Sequence, residues 1–251
     1  MTTPGAAATD QCIRLAMWSG PRNISTALMR SWENRDDCVV VDEPLYAHYL
    51  AETGIEHPGR DEVIEAGETD WRLVVSGLVG AVPNGTRIHY QKHMTHHLLA
   101  HIERDWLLQL TNALLIRDPA AVIASYRISR ARVAPPDLGL LQQRELYGYL
   151  RSRGAPPPVL EAADFLGDPR GHLEWLCDWA GVPFTTTMLA WPPGPRDSDG
   201  VWAPHWYGTV VASTGFAPYR KRSVDLTAED LAVEAVCRPA YDDLSDVRLR
   251  L

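Results

Sequence analysis

Cysteine, phenylalanine, long apolar runs and excess basic charge are all scarce in this 251-residue chain. Its four cysteines, Cys12, Cys38, Cys177 and Cys237, stand far apart, with no pair at metal-ligand or redox spacing. They suit a reducing compartment and read as small apolar residues. No apolar run approaches the length of a membrane span, and the first residues lack the basic segment and apolar core of a signal peptide. The expectation is a cytoplasmic protein with no membrane partner. Lysine and arginine number 24 against 32 aspartates and glutamates, for a net charge of -8 and a pI near 5.6. That balance argues against a nucleic-acid partner, which calls for a basic surface. A small anionic ligand stays open where arginines converge locally, so their placement matters more than their number.

What is present describes one α/β domain over 1–251, with 45% hydrophobic residues and no linker, repeat or composition break. Residues 1–11 are small and polar and read as a loose tail. The apolar run Ile13 to Trp18 passes through Ser19-Gly20-Pro21-Arg22-Asn23 into Ile24, Ala27, Leu28 and Trp32 at helical spacing. This strand, turn and helix leaves the first helical N–H groups aimed at one spot favourable to an anion. Arg22 adds a cation, and Ser25 and Thr26 add hydroxyls. An ordinary capped turn would read the same way.

Cys38 to Val41 predicts a second strand, ending in Asp42-Glu43-Pro44. Ligands in open α/β sheets bind beyond the carboxyl ends of the strands, so both acids would face the crevice of the Arg22 turn, unless they cap a helix starting near Leu45. Residues 52–70 read as a polar loop or lid and Trp71 to Val82 as a helix. A third strand runs over Thr86 to Met94, in the segment that gathers His89, His93, His96, His97 and His101. A zinc site there lacks the carboxylate-flanked spacing of a metalloprotease helix, so no metal is expected.

Asn112 to Ile116 predicts a fourth buried strand, leading into Arg117, a capping Asp118 and a helix opened by Pro119, with Ser125 two turns along. Further helices are expected over Leu138 to Arg153, from Asp168-Pro169 to Ala180, and over 227–244, with a short strand near Val159. Residues 190–223 read as a long functional loop. It holds Trp202, His205, Trp206 and Tyr207, candidates for an acceptor pocket or simply for packing, and it ends in Arg220-Lys221-Arg222. The fold class is therefore three-layer α/β/α around a mainly parallel sheet of about four to five strands.

Three separated segments together resemble the nucleotide-dependent sulfotransferases, a family with a P-loop-like fold. Pro21-Arg22-Asn23-Ile24-Ser25-Thr26 is similar to that family's Pro-Arg/Lys-Ser-Gly-Thr-Thr loop. Arg117 and Ser125 match its Arg-x-Pro-(x)5-Ser segment, and Gln91-Lys92-His93-Met94 lines up with its Lys-Thr-His-Leu segment. Glu161 to Asp164 and Asp168-Pro169 look like its Tyr-Glu-Asp-Leu and Asp-Pro signatures, so the likeness spans roughly residues 13 to 183.

The resemblance implies a transferase that moves a sulfuryl group from 3′-phosphoadenosine 5′-phosphosulfate to a small-molecule hydroxyl or amine. It gives Arg22, Asn23, Ile24, Ser25 and Thr26 the 5′-phosphosulfate, with Arg22 also catalytic, and it gives Arg117 and Ser125 the 3′-phosphate. Arg220, Lys221 and Arg222 match the family's nucleotide-closing loop more loosely. His93 falls at the base, with Glu43 as the second candidate. Two departures stand out: Ile24 replaces a glycine that would let backbone approach phosphate, and Gln91 replaces a lysine. A P-loop kinase or hydrolase is the nearest rival, but the chain lacks its Gly-Lys-Ser/Thr tripeptide. A catalytically inactive nucleotide-binding protein of the same fold is another. The acceptor's identity and the oligomeric state, a homodimer included, stay open.

Overall fold

The computed structural model describes residues 12–128, 130, 132–220 and 224–251. Five strands, β1 (Ile13–Ser19), β2 (Cys38–Asp42), β3 (Ile88–Met94), β4 (Thr111–Ile116) and β5 (Val159–Glu161), form one sheet in the order β2-β3-β1-β4-β5. Every pairing is parallel. Strands buried on both faces carry continuous apolar runs instead of alternation, which is how β1 and β4 read. β1 is central. The chain fills one side of it with β2 and β3 and then crosses to β4 and β5, so the strand order reverses beside β1, where open α/β sheets bind ligands.

Helices cover both faces. Helix α1 (Ser25–Glu33) follows β1; α2 (Tyr46–Thr53), α3 (Arg60–Ala66) and α4 (Trp71–Val79) lie between β2 and β3. Then come α5 (Pro119–Tyr126), α6 (Leu140–Ser152), α7 (Ala162–Gly167) and α8 (Pro169–Trp179), the one-turn helices α9 (Ala203–Trp206) and α10 (Gly208–Val211), and α11 (Ala228–Asp246). One core packs Ala16 and Trp18 of β1 against α4, α5, α6 and α11; the other packs Leu15 and Met17 against α1 and α8. Adjacent residues of one strand feed opposite cores, as a pleat requires.

The expected helix starts are present with their caps. Asp118 accepts from the Ala121 N–H at 3.2 Å, and Asp168 from the Gly171 N–H at 2.9 Å, each just ahead of a proline. Residues 52–70 are not a plain loop, because α3 lies inside them and buries Val63. The long segment after Ala190 also differs from expectation. It carries α9 and α10 and packs Trp202 and Tyr207 with Tyr46, Ala47 and Leu50 of α2 in a third apolar cluster.

Candidate active site

Three separated segments meet at the head of α1. Arg22 sits at φ +54°, in the left-handed region, so the turn's awkward conformation falls on the arginine and not on Ile24, whose φ is -88°. The Ile24 side chain packs against the α1/α8 core. Asn23 Nδ2 donates to the Leu115 carbonyl at 3.0 Å, and Asn23 Oδ1 accepts from the Ile24 N–H at 2.9 Å, which pins the turn to the end of β4. Arg22 Nε donates to Ser125 Oγ at 3.2 Å, and Arg117 Nη1 donates to the Arg22 carbonyl. Among the described residues no side chain caps α1. Its first turn thus keeps the dipole and N–H groups that suit an anion, beside two guanidiniums and a hydroxyl.

The turn is held from above by the 3₁₀ turn Pro135–Leu138. A Cβ on Gly20 would lie 2.2 Å from the Leu138 carbonyl oxygen, so only glycine lets the two backbones touch. Gln143 of α6 then donates to the carbonyls of Trp18 and Leu115 at 3.1 and 3.0 Å, tying together the ends of β1 and β4.

A second cluster lies at the ends of β3 and β2, one and two strands from β1, or roughly 5 and 10 Å at the usual strand spacing. Asp42 and Lys92 are register partners, and Lys92 Nζ donates to Asp42 Oδ1 at 2.7 Å, Glu43 Oε1 at 2.5 Å and Tyr207 Oη at 2.9 Å. Tyr207 Oη donates to Asp42 Oδ2 at 2.5 Å and accepts from Trp202 Nε1 at 3.1 Å. Asp42 is therefore no helix cap; its oxygens are spent on Lys92 and Tyr207. Glu43, at φ +42°, directs its other oxygen toward His97 Nδ1, 3.9 Å away. Among the described residues that nitrogen has no hydrogen-bond partner, and the His97 ring is stacked on Tyr46 and Tyr49.

Burial raises the Glu43 carboxyl above its usual range, with the Lys92 ammonium pulling the other way. Burial works against the Lys92 charge, yet Asp42 and Glu43 hold that group well above an ordinary lysine. Burial keeps His97 well below the usual histidine value, hence neutral.

The other expected site residues separate. His93 does not reach this cluster's hydrogen bonds. Its ring lies 4.0 Å from that of Trp18, stacked at 15°, with Trp106 beyond, and Nε2 meets Gln91 Oε1 at 3.2 Å. Burial pushes its pKa down to about 3. The reason is the strand period: His89, Gln91 and His93 share one face of β3, while Tyr90 and Lys92 share the other. Trp202 and Tyr207 are buried and structural in their contacts, Trp206 is half-buried near His57 and Tyr126, and His205 is exposed beside Gly59. Arg220 is exposed, and Lys221 and Arg222 lie outside the described residues. Among the described residues no three His, Cys, Asp or Glu side chains are grouped to hold a metal ion, and no helix is long and apolar enough to cross a membrane.

The sequence reading passed over Lys92. Its signal was a lone lysine inside an otherwise uncharged strand core, on the strand that pairs Lys92 with Asp42. His97 was visible only as one of five neighbouring histidines.

A parallel α/β sheet with a cationic strand-to-helix turn at its switch point has the P-loop-like fold. The chain belongs to the sulfotransferase family: the model of that family's sulfotransferase domain matches residues 13–245. Among solved structures it is similar to the sulfotransferase domain of the Synechococcus PCC 7002 olefin synthase, with a TM-score of 0.52 over 93% of this chain and 98% of that one. A sulfotransferase of Alicyclobacillus acidocaldarius gives 0.51 over 96% and 98%. Both are 14% identical and show the fold alone. Among curated proteins it is similar to branched-chain-amino-acid aminotransferase-like proteins 2 and 1 of Arabidopsis thaliana, 35% and 37% identical over 232 residues. That stretch is 90% of this chain and 40% of the length of each relative.

Proposed function

We propose that the chain transfers a sulfuryl group from 3′-phosphoadenosine 5′-phosphosulfate to a hydroxyl or amine of a small-molecule acceptor. The observation that carries this reading is the meeting of Arg22, Arg117 and Ser125 at the uncapped head of α1. The donor set fits the nucleotide: two guanidiniums, a hydroxyl and the N–H groups of the first turn of α1 suit an anion charged at both ends. Arg22 and the N–H groups of Ser25 and Thr26 would hold the 5′-phosphosulfate, and Arg117 and Ser125 the 3′-phosphate. When bound, the nucleotide supplies an activated sulfuryl group.

Arg22 and the α1 dipole stabilise negative charge where the phosphate departs, an electrostatic effect that is commonly the largest in such sites. Glu43 Oε2 takes the acceptor proton, and neutral His97 orients the acceptor beside it. This replaces His93 as base, since a ring held at a pKa of about 3 and walled by Trp18 is a poor proton acceptor at neutral pH. No metal enters this scheme.

The test combines thermal shift with turnover. Adenosine 3′,5′-bisphosphate is expected to stabilise the protein more than Mg-ATP, and Glu43→Gln to lose ~10²- to 10⁴-fold in release of the bisphosphate across a panel of hydroxyl and amine acceptors. Stabilisation by Mg-ATP alone would refute the reading.

A further inference from the structure

Two carboxylates, one ammonium and one phenol meet at the ends of β2 and β3, and the pattern of their hydrogen bonds is asymmetric. Lys92 Nζ has three N–H groups, and each has an acceptor: Asp42 Oδ1 at 2.7 Å, Glu43 Oε1 at 2.5 Å and Tyr207 Oη at 2.9 Å. The Tyr207 hydroxyl gives its single proton to Asp42 Oδ2 at 2.5 Å and receives Trp202 Nε1–H at 3.1 Å. Both oxygens of Asp42 and one of Glu43 are thereby occupied. Among the described residues, the oxygen left over is Glu43 Oε2.

We propose that Lys92, Asp42 and Tyr207 are positioning residues that fix which oxygen of Glu43 works as the base and keep that carboxyl ionised. This rests on the sulfotransferase reading of Glu43. Each member has a distinct part. Lys92 supplies the compensating charge from within the core, where its side chain is 1% exposed. Asp42, equally buried, pairs with Lys92 at 2.7 Å and holds it in place. Tyr207 brings the segment after Ala190 down onto the pair, so the ordering of that segment and the setting of the base are one event. This gives Tyr207 and Trp202 a role at the site other than contact with an acceptor.

A buried ammonium shared by two carboxylates is a costly arrangement, since desolvation of all three ions must be offset by good geometry. Glu43 also holds φ +42°, unusual for a residue with a side chain. Backbone strain and buried charge in one residue pair accord with a functional constraint on Glu43. The groups facing that carboxyl are Lys92 from β3, Asp42 from β2, Tyr207 from α10's leading edge, His97 from the turn after β3, Tyr46 from α2 and Tyr126 from α5. Among the described residues Lys92 is the one cation of this set, so its removal leaves Glu43 with burial and a neighbouring anion, both of which favour the protonated form.

The test reads the carboxyl directly. Infrared titration of wild type and Glu43→Gln identifies the Glu43 band by difference, with no acceptor needed. In Lys92→Met that band is expected to titrate at higher pH by at least one unit. The acid limb of the kcat profile should move with it, while the binding of adenosine 3′,5′-bisphosphate changes less than threefold. Should Lys92→Met fail to fold, Tyr207→Phe serves, with a smaller shift in the same direction; Lys92→Arg should restore most of the wild-type profile. A merely structural Lys92 would lower the melting temperature and leave the Glu43 titration where it was, which overturns the proposal. If Glu43→Gln itself keeps full turnover, the assignment of the base has failed instead.

Discussion

Replacing His93 with leucine separates a buried core imidazole from a catalytic one. In the folded protein the ring has a pKa of about 3, depressed by burial from 6.5. The unfolded chain takes up a proton near 6.5 and the folded one does not until near 3. Between those values the unfolded state binds more protons, so stability falls as pH drops, by up to about 1.4 kcal/mol per unit for this one group. Above 6.5 the group contributes no pH dependence.

At pH 7 His93→Leu loses the stack on Trp18 and strands Gln91 Oε1, together about 1–3 kcal/mol. Moving to pH 5 removes about 2 kcal/mol from wild type that the variant never had to lose. Urea denaturation at the two pH values should therefore show the variant clearly weaker at pH 7 and level with wild type, or above it, at pH 5. Turnover per folded molecule at pH 7 should stay within about threefold, because a group with that pKa supplies little general-base catalysis. A stability gap that is the same at both pH values refutes the burial argument. A hundredfold loss of turnover in a fully folded variant would return His93 to the reaction.

Arg117→Ala should weaken adenosine 3′,5′-bisphosphate by ~10-fold or more, from the loss of a hydrogen bond between charged groups, and adenosine 5′-phosphate far less; equal weakening in calorimetric titration would remove its 3′-phosphate role. Gly20→Ala should lower the melting temperature through ~1–3 kcal/mol of overpacking, because the new Cβ meets the Leu138 carbonyl oxygen and a backbone atom yields poorly. An unchanged melting temperature would mean that the 3₁₀ turn does not rest on Gly20.

The fold was legible wherever the local pattern and the tertiary outcome agree. Pro119 and Pro169, each behind a capping aspartate, mark helix starts, and Asn112 to Ile116 reads as a buried strand because a parallel sheet leaves no polar face. The placement of Arg22 and Arg117 was equally readable, since Arg22 sits in a turn between strand and helix and Arg117 closes a strand that neighbours it.

The β3 end was not. Aligning a motif without gaps carried the base onto His93, but a two-residue period decides which way a strand side chain points, and a shift of one position exchanges the two cores. Counting outward from Tyr90, which belongs with Ile88 in the α1/α8 core, would have put Lys92 on the Asp42 side and His93 against Trp18. The Lys92 and Tyr207 partnership spans 115 residues and no periodic signal links them.

Ile24 stands where the motif it resembles has a glycine, and the turn around it is built in its own way. A glycine in a phosphate turn serves two ends, a left-handed backbone and room for close approach. Here the left-handed φ is carried by Arg22 at +54°, and the room comes from the direction of the isoleucine, which turns its side chain into the α1/α8 core. Asn23 makes that displacement stable by bonding Leu115 on one side and the Ile24 N–H on the other. The N–H spent on Asn23 is one that a glycine loop would offer to a ligand. The anion site should accordingly lean on the Arg22 guanidinium and the N–H groups of Ser25 and Thr26, one residue deeper into α1, where the helix dipole is in register with them.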